Sequence, residues 1–287
     1  MIQFANEHTA PLVRQMWKTC FEDTDEFLDI YFHYKYRNEN TLIYFDGNKA
    51  VASLQMLPYS ITFYKETIPF AYLAGLCTLP EYRNKGYMAK LINEAHHIIA
   101  QRNIHLSILI PAEDWLYGFY EKYGYEQVFE RDDRLIPLKE IIDQYSGIGE
   151  AYKAFNSLFC DKDFCVQKNE KDFEAIVEEY KSDGFPPKTN LSGMACIIDV
   201  YEGLRLYAKD NLSKQFRLKV NDSRTGASSI YYINKGNVEL VQDLSFDIET
   251  NTHLLCRLLF GYRLSELDSK LSIFFEEHQP IMNLMLE

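Results

Sequence analysis

The sequence has no long hydrophobic run. None of its apolar stretches reaches the roughly 18 residues that a membrane-spanning helix needs. The N-terminal stretch MIQFANEHTAPLVRQMW also lacks the basic-then-apolar pattern of a signal peptide. We therefore expect no membrane association and a cytoplasmic location.

Cysteine is scarce and scattered. No two cysteines form a C-x-x-C pair, so their spacing indicates neither a zinc site nor a disulfide framework. We expect no bound metal and mostly buried, reduced thiols. The six cysteines are Cys20, Cys77, Cys160, Cys165, Cys196 and Cys256.

Positive charge is also in short supply. Lysine and arginine number 30 against 42 aspartates and glutamates, which gives a net charge of -12. This balance opposes non-specific binding to nucleic acid. Carboxylates lining a cleft would attract a small cation, although a solvated acidic surface that serves solubility explains the same charge. With 287 residues and 47% apolar content, the chain is long enough for two domains of ordinary size.

The most informative stretch follows a short apolar run at residues 71–78. That run is bounded by Pro80 and is typical of a strand buried on both faces. Beyond the loop, apolar residues recur at helical spacing. Residues 83–86 are therefore predicted to lie where a strand ends and a helix begins. The apolar helical positions are Met88, Leu91, Ile92, Ala95 and Ile99.

This junction has the properties of an anion site. Unpaired N–H groups and the positive end of the helix dipole favour negative charge at a helix N-terminus. Gly86 allows close approach because it has no Cβ, and Arg83 and Lys85 add positive charge. A diphosphate fits this description. The alternative is an ordinary basic turn before a surface helix.

The elements around the junction predict a mixed sheet with helices on both faces. A first strand is expected at residues 2–4, and helices at 10–21, after Thr9 as N-cap, and at 25–36. The sequence Asp46-Gly47-Asn48-Lys49 predicts a hairpin between strands 41–45 and 50–59. A second turn is expected near residues 64–67, and a further buried strand at 105–110.

The rest of the chain predicts two further parts. Helical patterns at residues 150–159 and 172–181 precede Gly184-Phe185-Pro186-Pro187, which breaks structure. A helix at 198–208, strands at 216–220, 229–233, 238–240 and 244–248, and closing helices predict a smaller α+β domain. The predicted division is 1–145, a helical connector at 146–193, and 194–287.

Two motifs in this order resemble the GNAT superfamily of acyl-CoA N-acyltransferases. They are Arg83-x-x-Gly86 and Tyr120-Glu121-Lys122-Tyr123-Gly124-Tyr125. The superfamily pattern is R/Q-x-x-G-x-G/A, from which Met88 departs. The resemblance implies a GNAT fold in the first domain and acetyl-CoA as co-substrate. The residues it implies for binding acetyl-CoA are Leu76, Cys77, Thr78, Arg83, Asn84, Lys85, Gly86, Tyr87 and Met88.

The C-terminal part is similar to one GNAT branch. Residues 197–202, 243–248, 258–262 and 280–283 resemble the sterol-carrier-protein-like domain that ends the enhanced-intracellular-survival (Eis-like) acetyltransferases. The connector at 146–193 is shorter than the middle module of that branch. The resemblance leaves a homo-oligomer open.

The chemistry requires an acid, a base and carbonyl polarisation. An amine is mostly protonated at neutral pH and must lose a proton before it attacks a thioester. Backbone N–H groups of residues 76–78 are expected to polarise the carbonyl. By resemblance, Tyr120 protonates the departing thiolate, and the terminal carboxylate of Glu287 reaches back as the base. The alternatives are a core tyrosine and a frayed chain end.

Other polar residues are expected to have structural roles. Glu113 and Asp114 precede the helix of Tyr120 and are expected to cap it. His96 and His97 are expected on the solvated side of their helix. The predicted function is acetyl-CoA-dependent N-acetylation of a primary amine, either a small cation or a lysine side chain. The alternative is a non-catalytic protein that binds or senses acyl-CoA or a lipid.

Overall fold

Two β-sheets organise the chain. The computed structural model describes residues 1–222, 224–242, 245–271 and 273–286. Within these ranges the larger sheet has eight strands and the smaller has four. The fold is a mixed α/β sheet with helices on both faces, followed by an additional α+β region, as the sequence predicts.

The N-terminal elements alternate as expected from their patterns. The strands are β1 (Ile2–Phe4), β2 (Thr41–Asp46), β3 (Lys49–Phe63), β4 (Glu66–Thr78), β5 (Leu106–Leu109) and β6 (Glu126–Phe129). The helices are α1 (Ala10–Phe21), α2 (Asp25–Tyr34), α3 (Tyr87–Gln101) and α4 (Asp114–Glu121).

The remaining elements begin with α5 (Leu138–Gln144) and α6 (Ile148–Asn156). Next come β7 (Cys165–Gln167), α7 (Glu170–Ser182), β8 (Gly193–Ile197) and α8 (Val200–Asp210). The smaller sheet is built from β9 (Gln215–Asn221), β10 (Ser228–Asn234), β11 (Asn237–Val241) and β12 (Ile248–Asn251), and α9 (Thr252–Phe260) follows.

The predicted hairpin and the second predicted turn are both confirmed. Asp46 pairs with Lys49, so the tight turn is Gly47-Asn48, and Gly47 has a φ of +59°. In the second hairpin Phe63 pairs with Glu66, which leaves two turn residues with positive φ. Positive φ at both central positions is typical of the turn whose twist matches that of its flanking strands.

The order of the larger sheet is β1-β2-β3-β4-β5-β8-β6, and β7 pairs with β3. Strand β8 lies between β5 and β6 and is antiparallel to both. The sheet therefore takes strands from residues that the sequence assigns to the connector and to the start of the last domain. The division at 145 and 193 stays a prediction, and strand pairing runs across it.

The smaller sheet has the order β11-β10-β9-β12. The strands predicted at 216–220, 229–233 and 238–240 are confirmed with slightly different ends. The strand predicted at 244–248 falls partly outside the described residues, and the described strand begins at Ile248. The likeness of this region to a sterol-carrier domain stays a prediction.

Helices cover both faces of the larger sheet. One buried cluster contains Trp17 and Tyr31 from α1 and α2 and Tyr59 from β3. The other contains Leu91 of α3 and Tyr120 of α4. Among the described residues, no helix is long and apolar enough to cross a bilayer. Within the same ranges no group of three or more histidine, cysteine and carboxylate side chains is arranged to hold a metal ion.

The expectation for His96 is wrong, whereas His97 is exposed as predicted. His96 is only 8% exposed, and its Nε2 lies 3.0 Å from the hydroxyl of Tyr125. That hydroxyl lies 2.7 Å from Oγ of Ser107 on β5. Burial lowers the pKa of His96 to about 3, so the ring is neutral. The buried face of α3 is therefore wider than its apolar residues indicate. The polar side chain of His96 can be buried there because Tyr125 supplies a hydrogen-bond partner.

Candidate functional site

A cleft of about 380 Å³ opens between the end of β4, the start of α3 and helix α4. All nine residues predicted to bind the co-substrate line it, as does Tyr120. The structure thus brings together residues separated by more than forty positions in the sequence. Their chemical roles stay predictions.

The cleft exists because β4 separates from β5. The two strands are parallel and pair only through Ala71 with Ser107 and Tyr72 with Ile108. Beyond Tyr72, β4 continues to Thr78 without β5 beside it. Backbone groups on that side of residues 73–78 therefore face a gap where a ligand can pair with them.

A β-bulge shapes the last part of β4. Ser53 pairs with Cys77 and Gln55 pairs with Ala74, so two residues of β4 oppose one of β3. One of the two, Gly75, has a φ of +57°. A Cβ at this position would overlap the indole ring of Trp17. Glycine is therefore required both by the backbone conformation and by the close approach of α1.

The start of α3 forms the second wall. Gly86 is its N-cap residue with a φ of +77°, and no side chain caps the helix. A Cβ at Gly86 would meet open space. Glycine is therefore favoured there by the positive φ of the backbone and not by a lack of room. The N–H groups of the first turn are thus free to bind an anion at the positive end of the helix dipole.

Two cations flank this helix end. The guanidinium of Arg83 donates from Nε to the carbonyl oxygen of Thr78 at 3.2 Å, which ties the loop to β4. The Lys85 ammonium lies 4.5 Å from the ring centre of Tyr82. The ion pairs found in the described ranges include neither Arg83 nor Lys85. Both charges are therefore available to a phosphate.

Tyr120 lies on the opposite wall. It is 6% exposed and lines the cleft from α4. Burial raises the pKa of Tyr120 well above its ordinary value. The phenol is therefore protonated throughout the neutral range, which is the form that can donate a proton.

Cys20, at the end of α1, was not predicted as a site residue. Its thiol lies 3.4 Å from the carbonyl oxygen of Thr78. A hydrogen bond from Cys77 and the charge of Arg83 outweigh burial and lower the pKa of Cys20 to about 7. The Cys77 thiol is buried and lies 3.2 Å from Oγ of Ser53.

Several aromatic side chains complete the cleft. They come from the end of α1 and from α4, and no local motif marks them, because only tertiary packing brings these helices to the loop. Glu113 is the N-cap residue of α4, but its side chain does not cap the helix. The aromatic residues that the sequence did not single out include Phe21, Trp115 and Phe119.

The segment before the last residue is docked against the rest of the chain. Residues 282–286 are all buried. The amide of Ile281 donates to Phe164, and its carbonyl accepts from Val166. Asn283 accepts from Nζ of Lys168 at 2.7 Å. Glu287 lies outside the described residues.

Comparison with known families gives one match. Residues 2–128 match the family model described as an acetyltransferase (GNAT) domain. This range contains the divergent strands, the loop before α3 and helix α4. No curated protein matches the chain.

Solved structures similar to the chain extend over its whole length. A probable N-acyltransferase from Enterococcus faecalis, a conserved protein of unknown function, has a TM-score of 0.71 at 12% identity and covers 99% of both chains. A GCN5-related N-acetyltransferase from Anabaena variabilis has a TM-score of 0.66 at 13% identity, covering 98% of this chain and 99% of that one. Eis1 from Mycobacterium abscessus has a TM-score of 0.63 at 10% identity, covering 100% and 99%. At these identities the likeness concerns the fold.

We expect Cys20 to react with iodoacetamide with a titration midpoint of about 7, because Cys77 and Arg83 stabilise the thiolate. Mass spectrometry of the labelled peptide across neutral pH measures it. Cys160→Ser, which removes an exposed cysteine, should leave this titration unchanged. Arg83→Gln should move the midpoint upward. A midpoint near that of an ordinary cysteine, about 8.5, would contradict the assigned environment.

Proposed function

We propose that this chain, an acyltransferase whose residues 2–128 match the GNAT domain, transfers the acetyl group of acetyl-CoA to a primary amine. The observation that carries the proposal is the convergence of three features on one cleft. These are the unpaired end of β4, the uncapped start of α3 and the protonated Tyr120.

The start of α3 suits the pyrophosphate of the donor. Gly86 leaves the first N–H groups of the helix uncapped, and Arg83 and Lys85 offer two positive charges nearby. Backbone donors combined with cations match the needs of a diphosphate. The pantetheine arm would then run along residues 76–78 and hydrogen-bond to the strand as β5 would.

The bulge supports carbonyl polarisation. It turns the backbone at Gly75 and Leu76 away from regular pairing with β3. An N–H donor from this segment, held rigid by the contact of Trp17 with Gly75, would meet the thioester oxygen without reorganisation. Fixed donors aimed at developing negative charge are an efficient source of catalysis.

Tyr120 is proposed as the general acid. When the amine nitrogen attacks, the C–N bond forms and the C–S bond breaks, and the departing thiolate takes a proton. The buried phenol holds that proton because burial raises its pKa. An apolar wall also disfavours a free thiolate, so protonation by Tyr120 assists departure.

The terminal carboxylate of Glu287 is proposed as the base. Residues 282–286 are buried, which supports a tail that is docked up to residue 286. The anchor includes Lys168, whose pKa burial lowers to about 7, and its hydrogen bond to Asn283. A carboxylate delivered in this way would take a proton from the acceptor ammonium.

A cationic amine is the proposed acceptor, either a small molecule or a lysine side chain. The net charge of -12 favours the approach of a cation from solution. We propose a direct transfer in which donor and acceptor are bound together. The cleft has room for the donor arm, and the acceptor would approach from the far side of the divergent strands.

The test is release of free thiol from acetyl-CoA, measured with a thiol reagent across a panel of polyamines, aminoglycosides and lysine peptides. We expect turnover with at least one primary amine and none with the matched N-acetylated amine. Tight binding of acetyl-CoA, measured by calorimetry, without turnover on any amine would favour the non-catalytic alternative. Absence of both would refute the proposal.

Tyr120→Phe should lower kcat about 100-fold and leave the KM for acetyl-CoA nearly unchanged, because the ring still fills the wall. Tyr117→Phe is the matched control, since Tyr117 lies on the same helix but does not line the cleft. It should retain activity. Retention of wild-type kcat within twofold by Tyr120→Phe would remove the assignment of the acid.

Deletion of Glu287 should lower kcat about 100-fold while acetyl-CoA binding by calorimetry stays unchanged. The physical reason is that the new terminal carboxylate, on residue 286, would lie one residue farther from the acceptor amine. Glu287→Gln keeps the terminal carboxylate and should stay active. Full turnover after the deletion would exclude this carboxylate as the base.

A further inference from the structure

Trp115 is an exposed aromatic residue at the mouth of the cleft. It is 63% exposed, whereas the other tryptophan, Trp17, is 6% exposed. Burying a side chain of this size is a large favourable contribution to folding. The side chain of Trp115 stays exposed to solvent and does not contribute this free energy. The residue nevertheless lies one helical turn from the buried wall of the cleft.

The indole ring is held in place at its edge. Its Nε1–H donates to Oε2 of Glu113 at 2.7 Å. The ring of Phe119 lies at 6.5 Å between centroids, with 65° between the planes. Both contacts restrain the ring, and neither stacks on its face. The face is therefore available to a planar ligand.

The loop wall of the same cleft carries positive charge. The Lys85 ammonium lies 4.5 Å and the Lys49 ammonium 4.8 Å from the ring centre of Tyr82. Lys49 also pairs with Glu81. The face of Tyr82 is therefore occupied by cations, whereas none of the cation–ring contacts among the described residues involves Trp115.

We propose that Trp115 stacks on the adenine ring of the acyl-CoA donor. The inference rests on the proposed function, because it assumes that the diphosphate of the donor lies at the start of α3. From that point the nucleotide end leaves the cleft past Trp115 and Lys85. A purine offers a flat π-face to the indole, and a ribose phosphate suits the lysine.

The proposal explains the side chain of Glu113. Its predicted role is an N-cap, yet its carboxylate binds the indole N–H instead of the helix backbone. A hydrogen bond to the edge of Trp115 orders the ring before the ligand arrives. Preorganisation of this kind reduces the entropy lost on binding.

The test compares coenzyme A with 4′-phosphopantetheine, which lacks the 3′-phosphoadenosine and one phosphate of the diphosphate. Isothermal calorimetry on the full chain measures both ligands with the wild type and with Trp115→Ala. We expect Trp115→Ala to bind coenzyme A about tenfold more weakly and 4′-phosphopantetheine as the wild type does. Trp115→Phe should restore most of the affinity for coenzyme A.

Phe246→Ala is the matched control, because Phe246 is another exposed aromatic residue outside the cleft. It should leave both affinities unchanged. In addition, coenzyme A should quench the tryptophan fluorescence of the wild type, and 4′-phosphopantetheine should not. The quench should disappear in Trp115→Phe, where only buried Trp17 remains.

Three outcomes would overturn the proposal. Equal weakening of both ligands by Trp115→Ala would indicate a structural role for the ring. Unchanged binding of coenzyme A by Trp115→Ala would show that the ring does not contact this ligand. The exposed ring would then be explained by contact with a macromolecular partner. In both of these cases, tight binding of coenzyme A by the wild type would leave the proposed donor in place while the stacking falls. If the wild type binds no coenzyme A, both the stacking and the proposed donor fall.

Discussion

The separation of β4 from β5 is the constraint on which the candidate site depends. Two residues of each strand pair, and the remaining backbone of β4 has no neighbour from β5. Unpaired N–H and C=O groups are costly where such a strand is buried, as it is at Leu73 and Cys77. A ligand that hydrogen-bonds like a strand would remove that cost. The same gap allows it to pass from one face of the sheet to the other.

Helix α1 holds the separated strand in position. The indole of Trp17 occupies the space that a Cβ at Gly75 would fill, and its Nε1–H donates to Asp23 at 2.5 Å. The thiol of Cys20 reaches Thr78 from the same helix. Two groups of β4, the carbonyl of Thr78 and the backbone of Gly75, thus link the bulge, the cleft wall and the loop of Arg83. A change at Gly75 would disturb all of them together.

Local patterns predicted the parts of this site that are close in sequence. Pro80 and Gly86 mark the end of a strand and the start of a helix by their own conformational limits, and the structure has both. Strands β7 and β8 were not predicted, because no turn or motif in the sequence marks these short segments and only tertiary pairing, with β3 and with β5 and β6, defines them. The same reason applies to Cys20 and Trp115, which reach the cleft from separate helices. The expectation for His96 is wrong because its partner Tyr125 lies just before β6, far from α3 in the sequence.

The charges in the cleft differ between its two walls. Near the loop, Arg83 stabilises an anion and contributes to the lowered pKa of Cys20. Near α4, burial keeps Tyr120 protonated. Among the described residues that line the cleft, the carboxylate is that of Glu113, and it is bound to Trp115 at the mouth. A cleft built in this way can hold an anionic donor and supply a proton, but a carboxylate engaged at its mouth is poorly placed to take a proton from an amine. Under the proposed mechanism the base would come from the acceptor side, and this is the role proposed for the carboxylate that follows the buried tail at residues 282–286.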